Sequence, residues 1–162
     1  MSHRPTHADI FMEIAEAVAK RSTCPRRHVG AVLVRDSRII ATGYNGSVPN
    51  ALHCTDVGCL MVNDHCKRTI HAELNVILQC AREGISCKDA ALYVTTAPCG
   101  ECLKLLATAG IDGIFYLDGL YKPEFTIEQI FGLTTFEWFV QRFTYSQPQP
   151  TSYTWPEITG RE

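Results

Sequence analysis

The stretch HVGAVLVRDSRIIATGYNG, residues 28–46, decides the fold class of this chain. Two apolar runs flank a polar turn at Asp36 and Ser37, and the second run, from Arg38 to Gly43, ends in a glycine-rich loop. Short apolar runs joined by a tight polar turn are typical of a β-hairpin. The stretch therefore predicts two buried antiparallel strands that form one part of a larger sheet.

Helices and short strands alternate on both sides of this hairpin. Residues 7–22, HADIFMEIAEAVAKRS, carry apolar side chains at helical spacing. The order α-β-β-α-β-α-β-α-β predicts a three-layer α/β/α sandwich with a mixed five-stranded sheet. We expect residues 1–145 to form a single domain and the proline-rich residues 146–162 to form a tail. After the hairpin, the pattern predicts a helix from about residue 68 to Gly84, a strand over 90–96, a helix over 98–110 that opens with Pro98, a strand over 111–117, a weak helix over 124–131 and a β-rich run over 134–143.

Composition and charge exclude several classes of protein. The 162 residues suffice for one domain with a real core, and the net charge of −2 provides no basic stripe for a nucleic-acid backbone. A small phosphorylated ligand, which needs one or two arginines, stays possible. Because no apolar run reaches the roughly 20 residues of a membrane span and the N-terminus lacks an apolar signal segment, we expect a cytoplasmic protein with no membrane partner.

Eight cysteines are the unusual feature of the composition. In a reducing cytosol, clustered Cys and His residues indicate metal binding or catalysis more often than disulfides. Cys80 lies among apolar residues of a predicted helix and Cys87 in a loop, so we expect both to be small packing residues.

The sequence PCGEC places Cys99 and Cys102 at the start of a predicted helix, where both sulfur atoms project from one face. Such a pair is either half of a zinc site or a dithiol redox pair. His71, at the start of another predicted helix, can supply a third zinc ligand, which leaves a fourth position for water. Glu73 can then act as the base that takes the proton of that water. The alternatives are a buried core histidine and a solvated helix glutamate.

The motifs HAELN and PCGEC match the H-x-E and P-C-x-x-C signature of zinc nucleobase deaminases. Over roughly residues 8–122 the chain resembles the deoxycytidylate (dCMP) deaminase family, in the branch that includes bacteriophage and bacterial enzymes. The stretches that carry this resemblance are STCPRRHVGAVLV, ATGYNGS, HCTDVGC, HCKRTIHAELNVILQCA and LYVTTAPCGEC.

The resemblance implies the cytidine-deaminase fold and zinc-dependent hydrolysis of dCMP to dUMP and ammonia, which supplies dUMP for dTMP synthesis. It also implies a homo-hexamer in the cytoplasm, or in the host cytoplasm if the chain is phage-encoded. Activation by dCTP with Mg²⁺ and inhibition by dTTP belong to the same expectation.

The resemblance also assigns roles to residues around the zinc ligands. Glu73 takes the water proton, protonates N3 of the cytosine and helps ammonia to leave. Asn45 contacts the deoxyribose 3′-hydroxyl, unless it only forms an Asn-Gly turn. Arg26 and Arg27 are candidates for binding the 5′-phosphate, with a solvated loop pair as the alternative. The other expected substrate-binding residues are Thr23, Ala72, Pro98 and Tyr121.

The glycine-containing loop of the hairpin resembles the effector site of the family. Gly43 and Gly46 would let backbone amides approach a triphosphate closely, whereas the alternative is an ordinary tight turn. The expected effector residues are His28, Val29, Gly30, Gly43, Tyr44 and Gly46.

The remaining cysteines suggest a second, structural zinc, which some members of the family hold. Four cysteines can close a tetrahedral site, and His65 is the alternative to one of them. If no metal binds, these residues are free thiols. The expected ligands are Cys24, Cys54, Cys59 and Cys66.

Two rival functions stay open at this point. One is a deaminase of adenosine or cytidine within RNA, because such enzymes share the metal motif. The other is a zinc-stapled binding module without activity, which would leave Glu73 without a role.

Overall fold

The computed structural model describes residues 4–118, 129–130, 132 and 140–146. The predicted hairpin forms, with Asp36 and Ser37 at φ angles of 51° and 59° in its two-residue turn. The elements in chain order are α1 (His7–Ala19), β1 (Gly30–Arg35), β2 (Arg38–Tyr44), β3 (Gly46–Ser47), α2 (Cys54–Val57), β4 (Met61–Val62), β5 (His65–Cys66), β6 (Thr69–Ile70), α3 (Ala72–Glu83), β7 (Ala91–Thr96), α4 (Gly100–Thr108), β8 (Gly113–Asp118) and β9 (Val140–Arg142).

Five of these strands form a mixed sheet with the order β2-β1-β7-β8-β9. The hairpin strand β1 pairs antiparallel with both β2 and β7, whereas β7, β8 and β9 run parallel to one another. Parallel neighbours need crossover connections, and α4 supplies the one between β7 and β8. The predicted α/β fold with a mixed five-stranded sheet is therefore confirmed.

Helices cover both faces of the sheet, and each face has its own core. Alternation along β1 sends Val32 and Val34 towards α1, and Ala31 and Leu33 towards α3. The α1 core contains Phe11, Met12, Ala15, Val32, Val34 and Tyr93. The larger core under α3 and α4 includes Leu33, Val76, Leu92, Leu103, Leu106 and Ile114.

Two glycines of the hairpin allow the helices to approach it closely. A Cβ atom at Gly30 would lie 2.0 Å from the carbonyl oxygen of Ala15 in α1. At Gly43 it would lie 2.5 Å from the carbonyl oxygen of Ala72 in α3. Since both obstacles are backbone atoms, a larger residue at either position forces a helix away from the sheet.

The two helices that carry the metal-binding motifs begin later than predicted. α3 begins at Ala72, not at about residue 68, because Thr69 and Ile70 pair with β3 as an extended strand. α4 begins at Gly100, so Pro98 precedes the helix and does not open it. His71 and Cys99 are the N-cap residues, both with extended backbone.

Residues 47–66, for which the sequence pattern predicts no helix or strand, contain short regular elements. α2 is a four-residue helix, and β4 pairs with β5 as a small hairpin. Asn63 and Asp64 form its turn, with φ angles of 48° and 61°. Asn and Asp tolerate these left-handed angles, so the Asn-Asp pair between two short runs was the sequence signal for this hairpin.

The described residues cover only part of the predicted C-terminal region. Gln129 and Ile130 are helical and β9 lies within the predicted β-rich run. The remainder of the predicted 124–131 helix and residues 147–162 of the predicted tail lie outside the described residues. The division into a domain and a tail stays a prediction. Among the described helices, none has the length and apolar character that a membrane crossing requires.

The start of α1 is tied to the C-terminal segment through Asp9. Thr6 and Asp9 form a capping box, in which Thr6 N–H donates to Asp9 over 2.8 Å and Asp9 N–H donates to Thr6 Oγ1 over 3.2 Å. The Asp9 carboxylate also accepts hydrogen bonds from the backbone N–H and the hydroxyl of Ser146. Burial alone would raise the pKa of Asp9, but these hydrogen bonds outweigh it and hold the pKa well below its ordinary value.

Replacing Asp9 with Asn should lower the free energy of unfolding at pH 7 by about 1–2 kcal/mol, because the capping box and the bonds to Ser146 weaken. A depressed pKa stabilises the folded state above the unfolded-state pKa of about 4, and this stabilisation is lost as the pH falls. The deficit of Asp9→Asn against wild type should therefore shrink on acidification. Urea denaturation at several pH values measures this difference in the free energy of unfolding. Glu13→Gln, an exposed carboxylate on the same helix, is the control, and a deficit that does not vary with pH would contradict the prediction.

Candidate active site

The N-terminal ends of α3 and α4 bring His71, Cys99 and Cys102 together. His71 Nδ1 lies 3.5 Å from Cys99 Sγ and 3.5 Å from Cys102 Sγ. Their potential ligand atoms all lie within 4.8 Å of one another. The predicted meeting of the two helix starts is thus present in the structure, although it joins residues 28 and 31 positions apart in the chain.

The spacing of the three atoms fits a tetrahedral zinc ion. With Zn–N of about 2.0–2.1 Å and Zn–S of about 2.3 Å, two ligands of one tetrahedron are separated by about 3.5–3.6 Å. The nearly equal distances from His71 to both sulfurs favour a metal site over a dithiol redox pair, which needs no histidine between its thiols. Two Cys and one His also leave one tetrahedral position for another ligand.

The electrostatics of the site favour a thiolate at Cys99. Hydrogen bonding with Cys102 and with His71 lowers the pKa of the Cys99 thiol to about 4, against the opposing effect of burial. The same hydrogen bond with Cys99, together with burial, raises the pKa of Cys102. Cys99 lies at the N-terminus of α4, where the helix dipole further stabilises negative charge. A cation binding here therefore finds one sulfur already predisposed to ionise.

Glu73 is buried beside this centre, with 4% of its surface exposed. Burial raises its pKa to about 7, while its own backbone N–H and His71 act in the opposite direction. A carboxyl group with a pKa near neutrality can both accept and donate a proton at physiological pH. The alternative of a solvated helix glutamate is wrong, because the side chain is enclosed by protein.

A cavity of about 460 Å³ opens next to the cluster of His71, Cys99 and Cys102. His71, Glu73 and Cys99 line it. Of the predicted substrate-binding residues, Asn45, Arg26, Arg27 and Ala72 also line it, whereas Thr23 and Pro98 do not, and Tyr121 lies outside the described residues. Lining residues that the sequence analysis did not predict to bind substrate include Asn63, Asp64, Thr69, Thr96 and Ala97.

Asn45 fixes the loop that leads into β1. Its Oδ1 accepts a hydrogen bond from the Val29 N–H over 2.8 Å, and its Nδ2 donates to the Arg27 carbonyl over 2.9 Å. Neither Asn45 nor Gly46 has a positive φ angle, so the alternative of a left-handed Asn-Gly turn is wrong. The Asn45 side-chain amide therefore retains one N–H donor on Nδ2 and one lone pair on Oδ1 for a ligand in the cavity.

The two adjacent arginines differ in their surroundings. Arg26 forms an ion pair with Asp64, with Nη2 and Oδ1 2.9 Å apart. The backbone carbonyl of Arg27 accepts hydrogen bonds from Ser22 and Asn45, which fixes the main chain at this position. Both arginines line the cavity, and their predicted contact with a phosphate stays a prediction.

Two of the three glycines of the predicted effector site are accounted for by packing. Gly43 is needed where the backbone of α3 approaches, and Gly30 where α1 approaches. The Gly30 N–H also donates to Thr95 Oγ1 over 3.2 Å, so it is already used within the chain. The backbone that Gly43 approaches within the chain is thus that of a helix. The effector roles of all six residues, His28, Val29, Gly30, Gly43, Tyr44 and Gly46, stay predictions.

A second group of cysteines lies around β5. Potential ligand atoms of Cys54, Cys59 and Cys66 lie within 4.8 Å of one another. The Cys54 and Cys66 sulfurs are 3.6 Å apart, close to the about 3.8 Å between two sulfurs of a tetrahedral zinc site. Cys24 is buried. Burial raises the pKa of Cys59, and the nearby Cys24 makes a smaller contribution in the same direction. His65, the alternative ligand, is not among the three clustered residues.

The two cysteines expected to be packing residues lie in the core. Cys80 is 1% exposed and Cys87 is 9% exposed, and both belong to the apolar cluster beneath α3. Burial raises the pKa of Cys80 to about 12, with a smaller contribution from Cys87. Neither belongs to a group of potential metal ligands among the described residues.

A mixed α/β sheet with a His-Cys-Cys centre at two helix N-termini and a buried glutamate beside it defines the class of zinc-binding nucleobase deaminase domains. The chain belongs to the cytidine and deoxycytidylate deaminase family, whose zinc-binding-region model matches residues 5–118. The resemblance noted from the motifs HAELN and PCGEC is therefore confirmed.

Three similar proteins illustrate this relationship. The chain is 50% identical over 121 residues to ComE operon protein 2 of Bacillus subtilis, covering 75% of this chain and 64% of that protein. It is 39% identical over 124 residues to the deoxycytidylate deaminase of Mycobacterium phage D29, covering 70% and 95% of the two chains. The crystal structure of dCMP deaminase from cyanophage S-TIM5 in complex with dCMP and dUMP matches with a TM-score of 0.69 and 26% identity, covering 88% of this chain and all of that chain.

The chain spans less than two thirds of the length of the first curated relatives that it matches. The shares are 64% of the Bacillus protein and 37% and 47% of two yeast deoxycytidylate deaminases.

Proposed function

We propose that this protein hydrolyses dCMP to dUMP and ammonia. The observation that carries the proposal is the position of His71, whose Nδ1 lies 3.5 Å from the sulfurs of both Cys99 and Cys102, beside the buried Glu73. Support also comes from the deoxycytidylate deaminase of phage D29 and from the S-TIM5 enzyme, which was crystallised with dCMP and dUMP.

His71, Cys99 and Cys102 would hold the catalytic zinc. When bound, zinc lowers the pKa of a coordinated water to near 7. Glu73 accepts the proton of the attacking water and delivers it to N3 of the cytosine ring. As the water oxygen bonds to C4, that carbon carries both a hydroxyl and the amino group. Glu73 then moves the remaining hydroxyl proton to the amino group, so that the C4–N bond breaks, ammonia leaves and a carbonyl oxygen stays at C4.

The cavity suits a nucleoside monophosphate. Its volume of about 460 Å³ lies in the range of about 300–1,000 Å³ that is typical of small-molecule sites. We assign the 5′-phosphate to Arg26 and Arg27 and the deoxyribose 3′-hydroxyl to Asn45, because these side chains line the same cavity as Glu73.

We also propose a structural zinc held by Cys54, Cys59 and Cys66, with Cys24 as the fourth ligand. A closed four-thiolate site would join α2, β5 and the loop before β1, which otherwise have few regular contacts. The distance of 3.6 Å between the Cys54 and Cys66 sulfurs supports this assignment.

Family membership supports the remaining parts of the proposal. These are activation by dCTP with Mg²⁺, inhibition by dTTP, assembly into a homo-hexamer and a cytoplasmic location. They also include one domain over residues 1–145. Each rests on the resemblance of the chain to dCMP deaminases.

Release of ammonia from a panel of substrates tests the function directly. We expect turnover of dCMP and much slower turnover of dCTP, cytidine and a tRNA stem-loop, each assayed with and without dCTP and dTTP as effectors. The physical reason is that only the monophosphate presents one phosphate to the two arginines. Turnover of the stem-loop while dCMP stays inert would mean that the protein is an RNA deaminase, and no turnover at all would favour a binding module.

Glu73→Gln should reduce kcat for dCMP by at least about 10²–10⁴-fold, because the amide cannot shuttle the proton. Zinc content should be unchanged, since Glu73 is not a ligand in this assignment. Glu101→Gln is the matched control, as an exposed glutamate near the start of α4, and should retain full activity. If Glu73→Gln loses its zinc, the glutamate is a ligand and the proposed proton transfer is wrong.

Elemental analysis of the purified protein should find two zinc ions per chain. Cys99→Ser and Cys54→Ser should each lose one, because each removes a thiolate from a different site. Cys87→Ser changes a buried cysteine outside both groups and should keep two. One zinc ion per wild-type chain would refute the structural site while leaving the catalytic one intact.

A further inference from the structure

The charged side chains of the cavity fall into two groups. His71 and Glu73 lie at the metal centre, whereas Arg26, Arg27 and Asp64 line the cavity from the loop before β1 and from the β4–β5 turn. Among the described lining residues, Asp64 is the carboxylate that pairs with Arg26. A carboxylate at this point occupies a guanidinium donor that an anionic ligand would otherwise use.

Arg26 is bound to the β4–β5 hairpin through three contacts. Its Nη2 donates to Asp64 Oδ1 over 2.9 Å, and its Nη1 lies 3.2 Å from the Asp64 carbonyl oxygen and 3.1 Å from Met61 Sδ. The side chains of Arg26 and Asp64 are 40% and 89% exposed. Exposed ion pairs contribute little net stability, whereas a phosphate can accept two parallel hydrogen bonds from one guanidinium. A phosphate can therefore displace the Asp64 carboxylate from Arg26.

The position of Asp64 is fixed by the hairpin that carries it. Met61 pairs with Cys66 and Val62 with His65, and Cys66 belongs to the second group of clustered thiols. Asn63 and Asp64 form a two-residue turn with left-handed backbone angles. The carboxylate is thus presented to Arg26 by a paired turn whose base lies at the cysteine cluster.

We propose that Asp64 is a specificity-determining residue, which competes with the ligand's phosphate for the guanidinium of Arg26. In the free protein Asp64 occupies Arg26, and a nucleoside monophosphate must replace it. Asp64 therefore weakens the binding of phosphate-bearing ligands and leaves ligands without a phosphate unaffected. The nature of the ligand rests on the proposed function, whereas the competition itself requires only a phosphate.

The test compares dissociation constants by calorimetry on the zinc-loaded protein, with dUMP, deoxyuridine and inorganic phosphate as probes. Asp64→Asn should bind dUMP and inorganic phosphate about twofold to fivefold more tightly, the range that an exposed ion pair supports. Its affinity for deoxyuridine should not change. Arg26→Ala should bind dUMP about tenfold or more weakly, and the double variant should match Arg26→Ala because Asp64 acts through Arg26.

Asp36→Asn is the matched control. Asp36 also lies in a two-residue hairpin turn with a positive φ angle, which Asn tolerates, and it does not line this cavity. This variant should bind all three probes like wild type.

Unchanged or weaker binding of dUMP and phosphate by Asp64→Asn overturns the proposal, as does an equal gain for deoxyuridine. If wild type neither binds dUMP nor deaminates dCMP, the proposed function fails. In that case the titration with inorganic phosphate still decides the role of Asp64, because it needs no nucleotide.

Discussion

Two helix N-termini that meet at one point are the constraint on which this structure depends. His71 caps α3 and Cys99 caps α4, so their side chains leave the ends of the helices and converge at 3.5 Å. This convergence requires both helices to lie on the same face of the sheet. Gly43 contributes to it by letting the first turn of α3 rest on β2. This arrangement explains why two functional side chains can lie only two residues apart. His71 faces the thiols from the N-cap position, whereas Glu73 is buried within the first turn of α3.

The segment from Cys66 to His71 links the two groups of potential metal ligands. This segment contains β6, which pairs with β3. In the chain, β3 follows β2 and is separated from it only by Asn45. Asn45 in turn holds the main chain at Arg27 and Val29 through its amide. The walls of the cavity are therefore connected by short strands and side-chain hydrogen bonds and not by a large apolar core. In such a region a metal ion at the cysteine cluster would supply the rigidity that apolar packing supplies elsewhere.

The main elements of the fold could be predicted because their periodicity is local. A pattern predicts structure well where neighbouring residues determine that structure. Examples are the apolar spacing of residues 7–22, the turn at Asp36 and the glycine after α3. The start of α3 was placed too early because residues 69–70 follow the same apolar pattern but pair with a strand more than 20 residues away. The β4–β5 hairpin was missed because its strands contain only two residues each, too few for a period to be visible.

The sequence by itself determined the chemistry of the site: a histidine, two cysteines and a glutamate at helix starts, which are the residue types and the spacing that zinc-assisted hydrolysis needs. Only the tertiary structure decided which groups meet. It brought Cys54, Cys59 and Cys66 together, buried Glu73, occupied the Asn45 amide with backbone partners and placed Asp64 against Arg26. The sequence contains the residue types and their short spacings. The distances between residues that are remote in the chain depend instead on how closely the helices and loops pack on the sheet.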